Sequence, residues 1–296
     1  MQKPVVFHLD EIDKNVLLYN INGVSNASDS SNGINLEYLN KYPVAKETYK
    51  KAFKIISHAI NKGYSYLANL TFRSKIETNL SLRELFFLSA ARYKIFYADQ
   101  FLCFSPETFI IIEDGAIKTY PMKGTINASI KDAAIKIIDN KKEKAEHDTI
   151  VDLLRNDLSI IAVEVSVNRY RYIEKIHSSK IDLLQVSSEI TGKLDNDYPT
   201  KIGEIICTLL PAGSISGAPK TTTVEIIKKA EKIPRGYYTG ICGIFDGKKL
   251  DCGVMIRFIE NSGGVLYYRS GGGITSMSNM EDEYNELIDK IYVPVN

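Results

Sequence analysis

The β-like runs of this 296-residue chain come back to back, joined by turn dipeptides, and that spacing limits the folds open to it. Phe109 to Glu113 and Ala116 to Tyr120 flank Asp114-Gly115, a hairpin signal. Gly240 to Phe245, Cys252 to Glu260 and Gly264 to Tyr268 read as a meander turning at Asp246-Gly247 and Gly263-Gly264. Further β-like runs cover Tyr64 to Phe72 and Ile95 to Phe104. Parallel strands need long crossovers, usually helical, and strict strand–helix alternation is missing here. The pattern therefore predicts an α+β fold of antiparallel β-sheets flanked by helices rather than a doubly wound parallel sheet.

Helical periodicity fills the intervals. Pro43 opens a helix with Ala52, Phe53, Ile56 and Ile60 on one face, ended by Gly63. Ser81-Leu82-Arg83-Glu84 is a capping-box pattern that starts a helix reaching Tyr93. Later helices are predicted over Lys131 to Leu158, Lys201 to Leu210 and Thr221 to Lys232, and a last one near Ser278, where Ser278-Asn279-Met280-Glu281 repeats the capping pattern. Gly23 to Gly33, rich in Ser and Asn, reads as a surface loop, and no Pro/Gly/Ser-rich linker divides the chain.

A formal net charge of +1 gives no reason to expect nucleic acid or a membrane surface as partner, so an acidic ligand has to be met by local positive charge. Cys103, Cys207, Cys242 and Cys252 are widely spaced and form no zinc pattern, which predicts buried free thiols in a reducing compartment. The first ten residues reach Asp10 too soon for a signal peptide, and no apolar run is long enough to span a bilayer. The expectation is a soluble cytoplasmic protein.

Three short segments carry the chemistry: Ser105-Pro106-Glu107, Pro121-Met122-Lys123-Gly124-Thr125, and Glu143 to His147 running into Asp152 to Asp157. Lys123 sits in a Pro/Gly-punctuated turn that fixes the backbone around one amine, and a desolvated lysine is a competent nucleophile; a surface lysine is the plainer alternative. Glu107 heads an apolar run, where half-burial raises a carboxyl pKa and suits a proton donor; a turn cap is the competing reading. Glu143 and Glu146 share a helix face, as do Glu283 and Glu286; two such pairs facing one another suit a hard divalent cation such as Mg2+, and solvated helix faces explain them equally well. Gly213 to Thr221 superficially suggests a phosphate loop but fails that pattern, because Ala218 and Pro219 separate the second glycine from Lys220. Gly271-Gly272-Gly273 offers backbone N–H groups to a small anion, or is a flexible turn. Arg257 directly follows the apolar residues Val254 to Ile256 within a β-like run and needs a carboxylate, from a substrate or from the protein.

In this order, these segments, together with Arg235 to Gly240 and Ile256-Arg257, resemble the chorismate-utilising enzyme family from roughly Pro43 to the C-terminus. The resemblance implies one catalytic chorismate-binding domain over 1–296, with 1–42 a shortened N-terminal part before a 43–296 core. The Pro-x-Lys-Gly-Thr form is similar to aminodeoxychorismate synthase component I, where anthranilate synthases carry alanine instead of lysine. It implies that the Lys123 amine adds to C2 of chorismate as the C4 hydroxyl leaves, Glu107 assisting, and that ammonia then displaces it, giving 4-amino-4-deoxychorismate for 4-aminobenzoate and folate synthesis once a lyase acts on the product. Glu146 and Glu286 match the Mg2+ ligands, with Glu143 and Glu283 as their partners. Mg2+ would hold the ring carboxylate, while Tyr238, Arg257 and the backbone at Gly271 and Gly273 would hold the enolpyruvyl carboxylate; Thr125 and Lys220 complete the implied substrate contacts.

Leu67 stands where salicylate and isochorismate synthases use a water-activating lysine, and Gln185 where anthranilate synthases show His. Phe258 replaces the family's usual Thr after Arg257. Nothing in the chain resembles a glutaminase, which implies a separate glutamine amidotransferase subunit as ammonia source. The rival readings are anthranilate synthase component I, an isochorismate or salicylate synthase, and a non-catalytic chorismate-binding subunit.

Overall fold

The structure, a computed structural model, describes residues 4–28, 33–176 and 182–295. Its described strands form two sheets, one of nine strands and one of seven, and every pairing within them is antiparallel. The α+β expectation holds.

The larger sheet is built around the long strands Leu67–Thr78 and Val265–Ile274, which pair from Leu266↔Ile76 to Ile274↔Ala68. Leu17–Ile21 pairs with Tyr93–Tyr97 towards its far end, so this strand, ahead of residue 43, belongs to the same sheet as the core strands. The smaller sheet holds the Thr108–Glu113 and Ala116–Thr119 hairpin around Asp114 and Gly115, both at positive φ, with Leu250–Val254 beside it.

The chain passes from one sheet to the other at two neighbouring points. Phe101–Ser105 belongs to the larger sheet and Thr108–Glu113 to the smaller, so Pro106 and Glu107 are a crossing. Leu250–Val254 and Phe258–Ser262 are split in the same way, so Met255, Ile256 and Arg257 are the other. Backbone bonds tie the crossings together: Phe104 N–H donates to the Arg257 carbonyl and Val254 N–H to the Glu107 carbonyl, both at 3.0 Å. The apolar run Cys252 to Glu260 is therefore two strands, with Arg257 between them at φ +52 rather than inside one.

Helices cover the faces. Tyr49, Ala52, Phe53, Ile56 and Ile60 of the Lys46–Asn61 helix pack on Ala68, Leu70 and Phe72, together with Ile227 of Lys220–Glu231 and Leu287 of Met280–Asp289. Burial of this apolar stripe is what makes the helix worth forming. Ile150, Val151, Leu154 and Leu158 of the Lys141–Leu158 helix pack into the core of the smaller sheet.

Several boundaries differ from expectation. The segment 131–158 is two helices, Ala133–Asp139 and Lys141–Leu158, broken where Asn140 leaves helical geometry and its side chain accepts from Glu143 N–H. The Ser81 capping box is present, but its helix stops at Leu88 because Tyr93 begins a strand. The last helix is capped by Asn279, which accepts from the N–H groups of Glu281 and Asp282; Ser278 Oγ accepts from Thr275 N–H instead. Of the cysteines, Cys103, Cys242 and Cys252 are buried and free, while Cys207 is exposed. Among the described residues, no helix is long and apolar enough to cross a membrane.

Candidate active site

The three consecutive glycines mark the meeting place of the two sheets and two helices. Gly271, Gly272 and Gly273 extend the Val265–Ile274 strand past the end of its pairing with Phe258–Ser262, which stops at Arg269, so one edge of the glycine stretch has no strand beside it. Along that edge the Gly271 carbonyl accepts from Lys290 Nζ at 3.0 Å. In an antiparallel strand, N–H and C=O of one residue point the same way and the pattern repeats every second residue, so Gly271 and Gly273 both turn their N–H groups to this edge.

Absence of side chains here is a steric requirement. A Cβ on Gly271 would lie 2.1 Å from the Leu70 carbonyl. One on Gly272 would meet Glu283 Oε2 and Glu286 Oε1 at 3.3 Å each. One on Gly273 would come within 3.0 Å of Leu67 Cδ1 and 3.5 Å of both Glu146 Oε2 and Lys123 Nζ. The glycines thus let two acidic pairs and the lysine approach one stretch of bare backbone.

Lys123 reaches this place from the Met122–Asn127 strand, which pairs with Leu183–Lys193 of the smaller sheet. The register shifts between Gln185 and Val186, opposite a bulge at Gly124, whose φ is +76, so Lys123 stands in a bulged strand rather than in the expected turn. The Lys123 side chain is 19% exposed and its Nζ lies 3.7 Å from Glu146 Oε2, so it points inward rather than to bulk water. Glu143 closes over the same bulge: its Oε2 would be 3.5 Å from a Cβ on Gly124.

The four glutamates come from two helices, Lys141–Leu158 and Met280–Asp289, that converge beside the glycines, and ammonium groups stand among them. Lys142 Nζ is 2.7 Å from Glu283 Oε1 and 3.8 Å from Glu146 Oε1, and Lys290 Nζ is 2.5 Å from Glu286 Oε1. Burial raises the Glu146 carboxyl above its ordinary pKa, with Glu143 and Glu283 adding to the rise against Lys123 and Lys142. For Glu286, burial is outweighed by Lys290, Lys142 and Lys123, and its pKa is lowered. Among the described residues, no three His, Cys, Asp or Glu side chains are drawn together at metal-binding range. The donor set nevertheless fits a hard divalent cation: all four side chains offer carboxylate oxygens, and Glu283 Oε2 is buried without any hydrogen-bond partner.

Glu107, at the first crossing between sheets, accepts a short hydrogen bond from Ser214 Oγ. Burial of its carboxyl raises its pKa, opposed by Ser214 and by the charges of Lys123, Lys290 and Arg257. Arg257, at the second crossing, donates to the Lys290 carbonyl at 3.0 Å and lies over the Tyr292 ring, 4.6 Å from its centroid. No carboxylate of the protein pairs with it among the described residues. Tyr238 is buried against Phe258, and burial pushes its hydroxyl pKa up to about 12.

Two expected contacts are placed differently. Lys220 Nζ is held by Asp157 Oδ2 at 2.6 Å and the Leu209 carbonyl at 2.8 Å, which ties the start of the Lys220–Glu231 helix, just after the short Gly213–Ser216 helix, to the Lys141–Leu158 and Ile202–Leu209 helices. Thr125 is exposed and pairs across the strand with Gln185. The glycine of that short helix serves packing, not phosphate binding: a Cβ on Gly213 would strike Leu153 Cδ2 at 2.7 Å.

Lys142, Ser214 and Lys290 line the site without having been singled out in the sequence. The two lysines carry a readable signal, since Lys142–Glu146 and Glu286–Lys290 are both i,i+4 pairs. Ser214 carries none, because its partner lies 107 residues away.

Comparison with known proteins gives the family. Residues 12–296 match the family described as chorismate binding enzyme. An uncharacterized PabA-like protein of Haemophilus influenzae is 49% identical over 294 residues, covering 99% of this chain and 89% of that protein. Aminodeoxychorismate synthase component 1 of Bacillus subtilis is 32% identical over 261 residues, covering 80% of this chain and 54% of that one. Among solved structures, anthranilate synthase component I from Streptococcus pneumoniae superposes with a TM-score of 0.73 at 26% identity, over 88% of this chain and 60% of that one. This chain therefore spans well under two thirds of the length of those two synthases. By a family match over nearly its whole length and by its fold, the chain belongs to the chorismate-binding enzymes.

Proposed function

We propose that this chain is the component of aminodeoxychorismate synthase that aminates chorismate, using ammonia released by a separate glutamine amidotransferase subunit. The observation that carries the reading is the Lys123 amine, turned inward beside Gly273 and Glu146 at the seam of the sheets. Relatives named aminodeoxychorismate synthase component 1 at 32% and 36% identity support it, as does the PabA-like description of the 49% relative. Anthranilate synthase component 1 of Mycolicibacterium smegmatis is 33% identical, and Lys123 separates the two readings, because the anthranilate enzymes carry alanine at this point of the motif.

The Lys123 nitrogen attacks C2 of the ring, both ring double bonds shift by one position, and the C4–O bond breaks. Glu107, whose carboxyl pKa burial raises, gives its proton to the departing hydroxyl, which leaves as water. Ammonia then forms a bond to C4, both double bonds return, the C2–N bond breaks to release the Lys123 amine, and the proton shed by the new C4 nitrogen restores Glu107. The net change is chorismate plus ammonia to 4-amino-4-deoxychorismate plus water. Arg257, bare of any carboxylate partner among the described residues, meets the enolpyruvyl carboxylate with Tyr238 and the N–H groups of Gly271 and Gly273. Glu146, Glu283 and Glu286, with Glu143 alongside, would hold Mg2+, which when bound supplies positive charge to the ring carboxylate. Leu67, whose side chain lies against Gly273, puts an apolar wall where a water-using member carries its lysine.

The test is incubation of the pure chain with chorismate, Mg2+ and ammonium, with products identified by mass. The expected product is 4-amino-4-deoxychorismate, converted to 4-aminobenzoate only when a lyase is added, with no turnover on glutamine alone. Anthranilate, isochorismate or salicylate as product, or turnover on glutamine, would contradict the proposal.

A further inference from the structure

Lys142 stands among the carboxylates that would hold the metal, and nothing above gives it a part. Its Nζ spans the gap between two helices, 2.7 Å from Glu283 Oε1 and 3.8 Å from Glu146 Oε1. Both partners are buried, with Glu283 at 1% and Glu146 at 5% exposure, and at least one charge between them needs compensation in a setting of low dielectric. Lys142 provides it from the first turn of the Lys141–Leu158 helix, directly after the Asn140 cap that breaks the helical run.

We propose that Lys142 is an internal stand-in cation: it holds Glu146 and Glu283 in place before the divalent ion arrives, and the ion displaces it. This rests on the reading of the four glutamates as the metal site. Three observations favour exchange over a permanent ion pair. The side chain is 31% exposed, so its ammonium has a way out to water by rotation about its own flexible stem, whereas Glu283 at 1% has none. Glu283 Oε2 has no hydrogen-bond partner, so the single ammonium leaves one of the two buried oxygens unsatisfied. The Lys142 ammonium also lies between two of the carboxylates assigned to the ion, and the two like charges exclude each other from that gap. Lys290 repeats the arrangement on Glu286, but it is also held by the Gly271 carbonyl and so is anchored on a second side.

Lys142 is thus a positioning residue that tunes metal affinity by competition. The measurement is binding of Mn2+, followed by the electron paramagnetic resonance signal of the free ion, to the wild-type chain and to Lys142→Met and Lys142→Gln. With the competitor gone, both variants should bind Mn2+ about tenfold more tightly than wild type. Their metal-free melting temperatures should fall, and saturating Mn2+ should raise them by more than it raises the wild type, because the uncompensated Glu283 charge is then neutralised. Unchanged or weaker Mn2+ binding in both variants, alongside clear binding by wild type, overturns the exchange and leaves the metal site standing. Absence of Mn2+ binding by all three chains overturns the metal site and the exchange with it. If Lys142→Met does not fold, Lys142→Gln, which keeps a polar group of similar length, decides the question alone.

Discussion

Glu107 shows how much one side chain's setting decides. The sequence offered its carboxyl as a candidate proton donor beside a plain turn cap, because it heads an apolar run at Ser105-Pro106, but the group that tunes it could not be read there. Ser214 Oγ donates to it from a turn 107 residues away, and a hydrogen bond to the ionised form lowers a carboxyl pKa. The sign follows: the acid form is the one that protonates the leaving hydroxyl, so the rate should fall as pH rises through the Glu107 pKa. Ser214→Ala removes a group that favours the ionised form, raises that pKa further, and should move the alkaline limb of the kcat/KM profile to higher pH. The rate at the optimum should drop about tenfold through lost positioning, with Ser214→Thr recovering most of it. An alkaline limb that stays in place or moves to lower pH would rule out this role for Ser214. Arg257 was singled out as a cation in need of a partner, and it does lack a carboxylate among the described residues; what the sequence hid was its position at a crossing between sheets, since an arginine at φ +52 is spelled no differently from one in a strand.

At the level of elements, periodicity identified what local forces decide. The Lys46–Asn61 helix and the Ser81 capping box were visible because an apolar stripe and a cap are written in adjacent residues. The strands Val163–Ile176 and Leu183–Lys193 were not, because much of Val163–Ile176 is exposed and charged and, among the described residues, its only strand partner is Leu183–Lys193, so no alternation marks it. Equally hidden was the clamp that ties the Lys220–Glu231 helix to the larger sheet. Arg235 donates to both Glu231 carboxylate oxygens and to the carbonyls of Ile215 and Asn69, while Glu231 Oε1 accepts from Thr71 N–H and Oγ1. Removing one member leaves the other charge buried without its partner. Glu231→Ala should therefore cost about 3–5 kcal/mol of unfolding free energy in a denaturant titration, and a loss under about 1 kcal/mol would mean the clamp carries no such load.

Taken as a whole, the molecule builds its site from pieces no sequence window contains. Lys123 comes from the smaller sheet, the three glycines from the larger, Glu143 and Glu146 from one helix and Glu283 and Glu286 from another. Two crossings, tied to each other by backbone hydrogen bonds, bring Glu107 and Arg257 to the same seam. The segments could be read singly as a lysine turn, acidic pairs and a glycine run, but their convergence depends on antiparallel pairing over long sequence separations, for which adjacent residues carry no code. That convergence makes Lys123 the residue on which the account depends, and substitution to alanine deletes its amine while leaving the fold's core contacts intact. The direct measurement is the rate of 4-amino-4-deoxychorismate formation from chorismate, Mg2+ and ammonium by Lys123→Ala beside wild type, with circular dichroism confirming equal folding. The expected loss in the variant is at least about a hundredfold; formation of the same product by Lys123→Ala at the wild-type rate would rule out a covalent part for this amine.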